Sequence, residues 1–450
     1  MTITEPASPY LSGNFGPVSA EVTAFDLAVT GEIPQELDGR YLRNGPNPIA
    51  EVGPNYHWFT GTGMVHGIRL RGGAAEWYRN RFVRTDLEAA LLGEPAPPSP
   101  FDPSVPKFAA NTNIIGHAGR TYAIVEGGFP PIELTDELET IGPSNLSGTL
   151  VHPFSAHPHL DPTTGELHVA AYYWGWGNVV RYMVVDVDGK VRHQVDVECQ
   201  GGTMAHDFGL SANHVLIMDQ ACVFNLELAM SGAGFPYAWD GEYQSRFGLL
   251  PREGSAADVQ WFDVEPGYVF HPLNTFDRPD GTVVMDAVRH PRMFDRDRSG
   301  PNEGGPVLTR WMFDPKTGRS SEDVINDRAT EFPRMNETLL GHENRYGYAV
   351  HFGGAGEHGD TFKYDLRDGS MQTLSHGPGR ESLEAVFVPR DGGVDEDDGW
   401  LMQVVYDRNR DGSDLVITNA QDLASGPVAT VTLPQRVPFG FHGNWVPAGQ

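Results

Sequence analysis

Four histidines in similar settings stand out in this chain. They occur in Phe154-Ser155-Ala156-His157-Pro158-His159, Met204-Ala205-His206-Asp207, Val269-Phe270-His271-Pro272 and Gly440-Phe441-His442-Gly443. Each lies beside apolar or small residues at the edge of an extended stretch. The intervals between His157, His206, His271 and His442 are 49, 65 and 171 residues. Such separations exclude a local finger-like metal site and fit ligands delivered by different strands to one point. Neutral imidazole suits iron, zinc, copper or nickel, so four nitrogens do not by themselves identify the metal. A ligating imidazole also needs its second ring nitrogen fixed, commonly by a carboxylate. Glu126, Glu331 and Glu384 are the candidates. Glu126 and Glu384 adjoin apolar strands, where an unpaired carboxylate would be costly.

Other chemistries find no support. The sequence has no Gly-x-Ser-x-Gly elbow, no His-Glu-x-x-His and no phosphate loop. Gly354-Ala355-Gly356-Glu357-His358-Gly359 matches a dinucleotide fingerprint in letters, but a strand pattern follows it where a helix is required.

The elements that must position the histidines are strands. His157 precedes a Pro162-Thr163-Thr164-Gly165 turn and an apolar run, which predicts a hairpin whose first strand carries the imidazole. Further turns punctuate the chain at Asp186–Gly189, Arg278–Gly281, Asp314–Gly318 and Asp365–Gly369. The pattern is all-β and closed, as a barrel, a stack of sandwiches or a propeller. Length favours a propeller, because four-stranded blades of ~45–65 residues would number roughly seven. Two stretches break the pattern: Asp86–Leu92 reads as a short helix, and Phe224–Trp239 as an apolar insertion with poor strand character. The first ~35 residues read as an irregular arm, which leaves 36–450 as a single β unit.

Composition bounds the partners. The 450 residues carry 32 basic and 60 acidic groups, a net charge of −28 that opposes nucleic acid and anionic lipid. Two cysteines, Cys199 and Cys222, build no disulfide framework and fit a reducing cytoplasm. The N-terminus has neither the basic nor the apolar region of a secretory signal, and no apolar run reaches membrane-spanning length.

The motifs, taken together, resemble those of the carotenoid cleavage oxygenases. The resemblance rests on Tyr41-Leu42-Arg43-Asn44-Gly45-Pro46-Asn47-Pro48, His57-Trp58-Phe59 with Gly61-x-Gly63-Met64-Val65-His66, and Asn111-Thr112-Asn113. It continues through Ala156-His157-Pro158, His206-Asp207, His271 with Asn274, Glu331-Phe332-Pro333-Arg334, Phe387-Val388-Pro389-Arg390 and His442-Gly443, in the family's order. It implies a seven-bladed β-propeller whose iron site is covered by a dome of loops and short helices. It further implies one Fe(2+) per chain on the axis, held by His157, His206, His271 and His442, with O2 as co-substrate. Glu126, Glu331 and Glu384 match the carboxylates that orient three of those ligands, and Thr112 the residue whose methyl group crowds a free coordination position. His159, two residues from His157, is the competing ligand.

The implied activity is dioxygenase cleavage of a conjugated C=C bond in a carotenoid or apocarotenoid, giving two carbonyl products. The alternatives are a stilbenoid α,β-double-bond dioxygenase and a non-catalytic propeller used as a binding scaffold. A propeller hydrolase is a further contrast, one that would favour oxygen ligands to Ca2+. Thr62 departs from the aspartate usual in the family's Gly-Asp-Gly-Met. The stilbene-cleaving branch grips a phenol through a tyrosine and a lysine, and the positions that match them here are Phe101 and Leu134. Two apolar residues there favour a polyene. Phe59, Phe101 and Trp174 are the expected tunnel walls. Leu226, Leu228, Phe235 and Trp239 are the expected apolar rim, through which a cytoplasmic enzyme would touch a membrane surface.

Overall fold

The turns fold as their chemistry dictates. In the computed structural model, which describes residues 8–53, 56–105, 109–353 and 358–449, Gly189, Gly318 and Gly369 adopt φ of 77°, 69° and 72°. A side chain is disfavoured in that left-handed region. The aspartate opening each turn accepts backbone N–H groups: Asp186 Oδ1 from Asp188 (3.0 Å) and Lys190 (2.9 Å), Asp314 Oδ1 from Lys316 (2.9 Å).

These hairpins stack into seven blades, and the four-stranded ones run in simple meander order. The first blade contains Gly39–Pro46, Gly63–Arg71 and Ala74–Phe82, and the second runs from Asn113–His117 to Thr140–Pro143. The third spans His159–Leu160 to Val191–Glu198, the fourth Gly209–Leu210 to Gln260–Asp263, and the fifth Tyr268–Asp277 to Arg319–Asn326. Thr330–Arg334 to Met371–Leu374 make the sixth, and Arg380–Ser382 to Pro427–Thr432 the seventh. The ring closes where the C-terminal strand Gly443–Pro447 pairs with Gly39–Pro46, Gly39 opposite Pro447. Closure of this kind leaves no long inner edge unpaired.

Central strands are sandwiched between neighbouring blades, so both of their faces are buried. Gly399–Asp407 accordingly reads as a nearly continuous apolar run, whereas the outer strand Val191–Glu198 alternates buried and exposed. Leu42, Val65, Ile114, Leu134 and Val446 fill the seam between the first two blades; Leu216, Phe247, Val283 and Trp311 fill that between the fourth and fifth. Each such side chain contributes about 1.5–3 kcal/mol by leaving water.

Residues expected to form a loose arm are stitched onto the ring. Thr23–Phe25 extends the first blade, with Thr23 opposite Arg79, and Val29–Gly31 extends the seventh, with Val29 opposite Val431. The outermost strands offered unpaired backbone groups, and the arm satisfies them.

The helix at Asp86–Leu92 forms, capped by Thr85 and ended by Gly93 at φ 72°. The stretch 224–239 differs from its sequence reading. Cys222–Phe224 and Tyr237–Trp239 pair as a two-stranded ribbon, with the helix Leu226–Met230 between them. Gly234–Tyr237 of this insertion line the large cavity beside the histidines. Gly354–Glu357, the centre of the fingerprint match, lie outside the described residues; the strand His358–Asp365 follows them. Among the described residues no helix is long and apolar enough to cross a membrane.

Candidate metal centre

The inner strands of the blades converge on the four histidines. His157 and His206 sit in loops just before His159–Leu160 and Gly209–Leu210, the first strands of the third and fourth blades. His271 lies within Tyr268–Asp277, where the register slips between Val269 and Pro272. A bulge of this kind re-aims a side chain. His442 immediately precedes the closing strand Gly443–Pro447. All four are buried, and their ligand atoms lie within 4.8 Å of one another.

Three imidazoles are held by carboxylates. His206 Nδ1 donates to Glu126 Oε1 (2.6 Å), His271 Nδ1 to Glu331 Oε2 (2.6 Å) and His442 Nδ1 to Glu384 Oε1 (2.9 Å). The proton on Nδ1 leaves the Nε2 lone pair of each for the centre. Two such lone pairs, His206 Nε2 and His271 Nε2, face each other at 3.2 Å, and the buried His157 Nε2 has no hydrogen-bond partner. Acceptors crowded in this way repel one another, and a cation among them removes both the repulsion and the unmet valence. The residues present therefore fit a divalent transition metal. Burial, followed by the neighbouring imidazoles, pushes His157 well below its ordinary pKa; burial, partly offset by Glu384, takes His442 down to about 4. Both are neutral near pH 7, as ligation requires.

The carboxylates have partners of their own. Glu331 Oε1 accepts from His290 Nε2 (2.8 Å), and Glu384 Oε2 from the Gly443 N–H (2.8 Å). Arg334 Nη1 lies 3.2 Å from Glu384 Oε1. Burial raises the Glu384 carboxyl, but Arg334 and His442 outweigh it and hold the group well below the usual range. Tyr172 donates to Glu126 Oε1 (3.2 Å).

His157 alone lacks a close carboxylate. Asp207 Oδ2 is 3.5 Å from its Nδ1, and Asp207 Oδ1 is engaged by His159 Nε2 (2.8 Å) and the Phe208 N–H (2.6 Å). Of His157 and His159, His157 belongs to the cluster. His159, not His157, is on the strand of the predicted hairpin, paired with His168, and its ring turns to Asp207 outside the cluster.

The histidines separate two cavities. On one side is an apolar cavity of about 340 Å³, walled by Phe59, Trp174, Phe235, Phe270, Phe332 and Phe441 and floored by His206, His271 and His442. On the other is a smaller one of about 100 Å³, which His157 lines with His159, Arg334, Glu337 and Asn444. Thr112 lines the larger cavity. Its hydroxyl donates to Asn111 Oδ1 (3.0 Å).

Phe59 and Trp174 stand where tunnel walls were expected; Phe101 and Leu134 do not. Leu134, on the strand Ile132–Leu134, points into the seam between the first two blades. Phe101 meets His152 edge-on at 6.2 Å, outside the cavity lining. Neither residue is part of the cavity lining. The preference for a polyene loses that support. The rim also differs: Leu226 is 63% exposed, but Leu228 and Trp239 are half-buried and Phe235 faces the cavity. Met230, 81% exposed, joins Leu226 instead. Thr62, in place of the family's aspartate, keeps its turn by donating to Asn47 O (2.6 Å) and accepting from the Ile49 N–H (3.1 Å).

Asp207, His290, Arg334 and Tyr172 carry no role in the sequence reading. The only sequence signal for Asp207 and Arg334 is that they flank His206 and Glu331 within the quoted motifs. His290 and Tyr172 lie on second strands, and nothing local marks them.

Known proteins share this sequence pattern and fold. Residues 15–447 match the family described as retinal pigment epithelial membrane protein. A carotenoid cleavage oxygenase of Mycobacterium tuberculosis is 45% identical over 98% of both chains. Carotenoid 9,10(9',10')-cleavage dioxygenase 1 of Phaseolus vulgaris is 30% identical over 97% of this chain and 89% of its own. The crystal structure of Pseudomonas brassicacearum lignostilbene dioxygenase aligns with a TM-score of 0.89 at 26% identity, covering 99% of this chain and 100% of the other. The cobalt-substituted apocarotenoid oxygenase of Synechocystis aligns with a TM-score of 0.86 at 27% identity, over 96% and 97%. With the propeller, the four buried imidazoles and these relatives in agreement, the chain belongs to the carotenoid cleavage oxygenase family.

Proposed function

We propose that this protein is an Fe(II)-dependent dioxygenase that cleaves a conjugated C=C bond of a carotenoid or apocarotenoid into two carbonyl products. The observation that carries the reading is the convergence of four buried imidazoles, three of which floor an apolar cavity. The 45% identical relative named a carotenoid cleavage oxygenase supports the substrate class. Residues 36–450 act as one catalytic unit, with the arm bound to its edges.

His157, His206, His271 and His442 would hold the iron. Bound there, Fe(II) supplies reduction of O2, which no side chain in the cavity can perform. The remaining work belongs to the protein. Glu126, Glu331 and Glu384 keep the protons on Nδ1 and the rings in place. The aromatic wall excludes water and confines a long flat chain so that one double bond lies over the floor. The Thr112 methyl narrows the space there. Both atoms of O2 balance the two new carbonyls, so the overall reaction needs neither an external reductant nor a protein acid or base.

Anaerobically purified protein should contain one iron per chain, measured by elemental analysis. Incubation with β-carotene, an apocarotenal and a hydroxystilbene, followed by mass analysis, should yield carbonyl fragments from a polyene. Absence of metal, or calcium in its place, would sink the enzyme reading in favour of a scaffold or a hydrolase. The likeness to lignostilbene dioxygenase favours a stilbenoid substrate as the second reading, and exclusive cleavage of the stilbene would establish it.

Polyenes partition into membranes, and Leu226 and Met230 on the insertion's short helix are the apolar groups offered to such a surface. With a net charge of −28, docking would rest on apolar insertion rather than charge. Replacing both residues by Ser should weaken binding to phosphatidylcholine vesicles by about tenfold in a sedimentation assay. Unchanged partitioning would refute the contact.

A further inference from the structure

Four hydroxyl groups line the apolar cavity, and three are committed to the protein. Thr60 donates to His57 O (2.9 Å), Thr112 to Asn111 Oδ1 (3.0 Å) and Tyr172 to Glu126 Oε1 (3.2 Å). The fourth belongs to Tyr237. It has no hydrogen-bond partner among the described residues, although the residue is only 6% exposed. A buried phenol normally finds an acceptor, because desolvating it without one is costly.

Nothing about Tyr237 is loose. It sits on the strand Tyr237–Trp239, and its carbonyl, like that of Phe235, accepts from Arg298 Nη2 (2.9 and 3.1 Å). Its ring is packed at 5.8 Å from Tyr172, 5.8 Å from Phe224 and 5.5 Å from Phe235. Burial, with Cys222 and Glu126 nearby, pushes the phenol's pKa up, so the group stays a donor at any working pH. The donor is held in place by this packing, and its residue lines the cavity.

Its position along the cavity is defined from both sides. Towards the solvent, Phe224 stacks at 6.1 Å on Trp174, which is 53% exposed. Towards the centre, Tyr172 leads through Glu126 to His206. Tyr237 therefore packs between Phe224, which meets the exposed Trp174, and Tyr172, which reaches Glu126 and through it His206.

We infer that Tyr237 is a specificity-determining residue, whose hydroxyl donates to the carbonyl or hydroxyl oxygen of an oxygenated polyene and so selects it over the corresponding hydrocarbon. The inference deepens the reading of the protein as a polyene dioxygenase and rests on it. An apolar wall alone discriminates poorly between a polyene and its oxygenated analogue. A single unpaired donor changes this, because a hydrocarbon leaves it unsatisfied and an oxygenated end satisfies it.

The test uses the iron-loaded enzyme and Tyr237→Phe, which keeps the ring and removes only the donor. The substrates are an apocarotenal and β-carotene. The ratio of kcat/KM for aldehyde over hydrocarbon should fall about ten- to a hundredfold in the variant, mainly through KM. Independently of turnover, the absorption band of the apocarotenal bound under anaerobic conditions should lie further to the red in the wild type than in Tyr237→Phe. A general packing defect would not move that band selectively. Equal selectivity and equal bound spectra in the two proteins would overturn the role of Tyr237. A wild-type enzyme that cleaves neither polyene would instead count against the functional reading, so the wild type alone separates the two failures.

Discussion

His271→Ala should lose both its metal and its activity. The substitution removes one of four imidazoles and leaves Glu331 buried with His290 and the Phe332 N–H as its remaining partners. Losing even an outer partner of a ligand typically costs ten- to a hundredfold in metal affinity, and losing the ligand itself costs more. Iron should fall from one per chain to under about a tenth, with cleavage reduced at least about a hundredfold. His159→Ala is the matched control. It removes an equally close histidine that points to Asp207, and it should keep its metal. Elemental analysis of the two variants side by side decides the ligand set. A His271→Ala protein with full metal, or a His159→Ala protein with none, would refute it.

Arg334→Met should destabilise the whole ring. Arg334 Nη1 pairs with Glu384 Oε1 and donates to Gly443 O (3.0 Å), while Nη2 donates to Asn444 Oδ1 (2.9 Å) and Glu337 Oε1 (2.5 Å). One guanidinium thus ties the first strand of the sixth blade to the strand that closes the propeller. Its planar fork serves several acceptors at once, which a lysine ammonium cannot do with the same geometry. Removing it leaves the Glu384 carboxylate buried without its cation, a loss of about 3–5 kcal/mol. The melting temperature should drop by about 3–5 °C, at ~1 °C per kcal/mol for a chain of this length. Pairing Arg334→Met with Glu384→Gln should recover part of that drop, since the neutral amide needs no cation and its oxygen still accepts from His442, while its NH2 no longer accepts from the Gly443 N–H. Calorimetry on the two single variants and the double variant measures the coupling. Purely additive losses would show that Arg334 acts through Gly443 and Asn444 alone.

How far the chain could be read without its structure differs from residue to residue. The turns at Asp186, Asp314 and Asp365 and the helix at Asp86–Leu92 form where they were expected, because aspartate and glycine chemistry and helix capping act within a few residues. His157, His206, His271 and His442 stood out for their settings, and motif order named their partners Glu126, Glu331 and Glu384. Phe101 and Leu134 lie away from the cavity, against His152 and in the seam between the first two blades, because which side chains wall a cavity is set by packing between distant segments. The ribbon at 222–239 was missed because its strands are only three residues long, too short for a period to register.

By itself, then, the sequence determined the closed all-β class, the family and the four imidazoles. Each of these is written in local turn chemistry or in motif order. Tertiary structure alone decided that His157 faces the centre while His159 turns to Asp207, that Arg334 neutralises Glu384, and that the Tyr237 hydroxyl is left free on the cavity wall. The His159–Asp207 and Arg334–Glu384 contacts join residues 48 and 50 positions apart through the packing of different blades, in a ring that Gly443–Pro447 closes on Gly39–Pro46. No local pattern encodes a contact whose two halves are brought together by that closure.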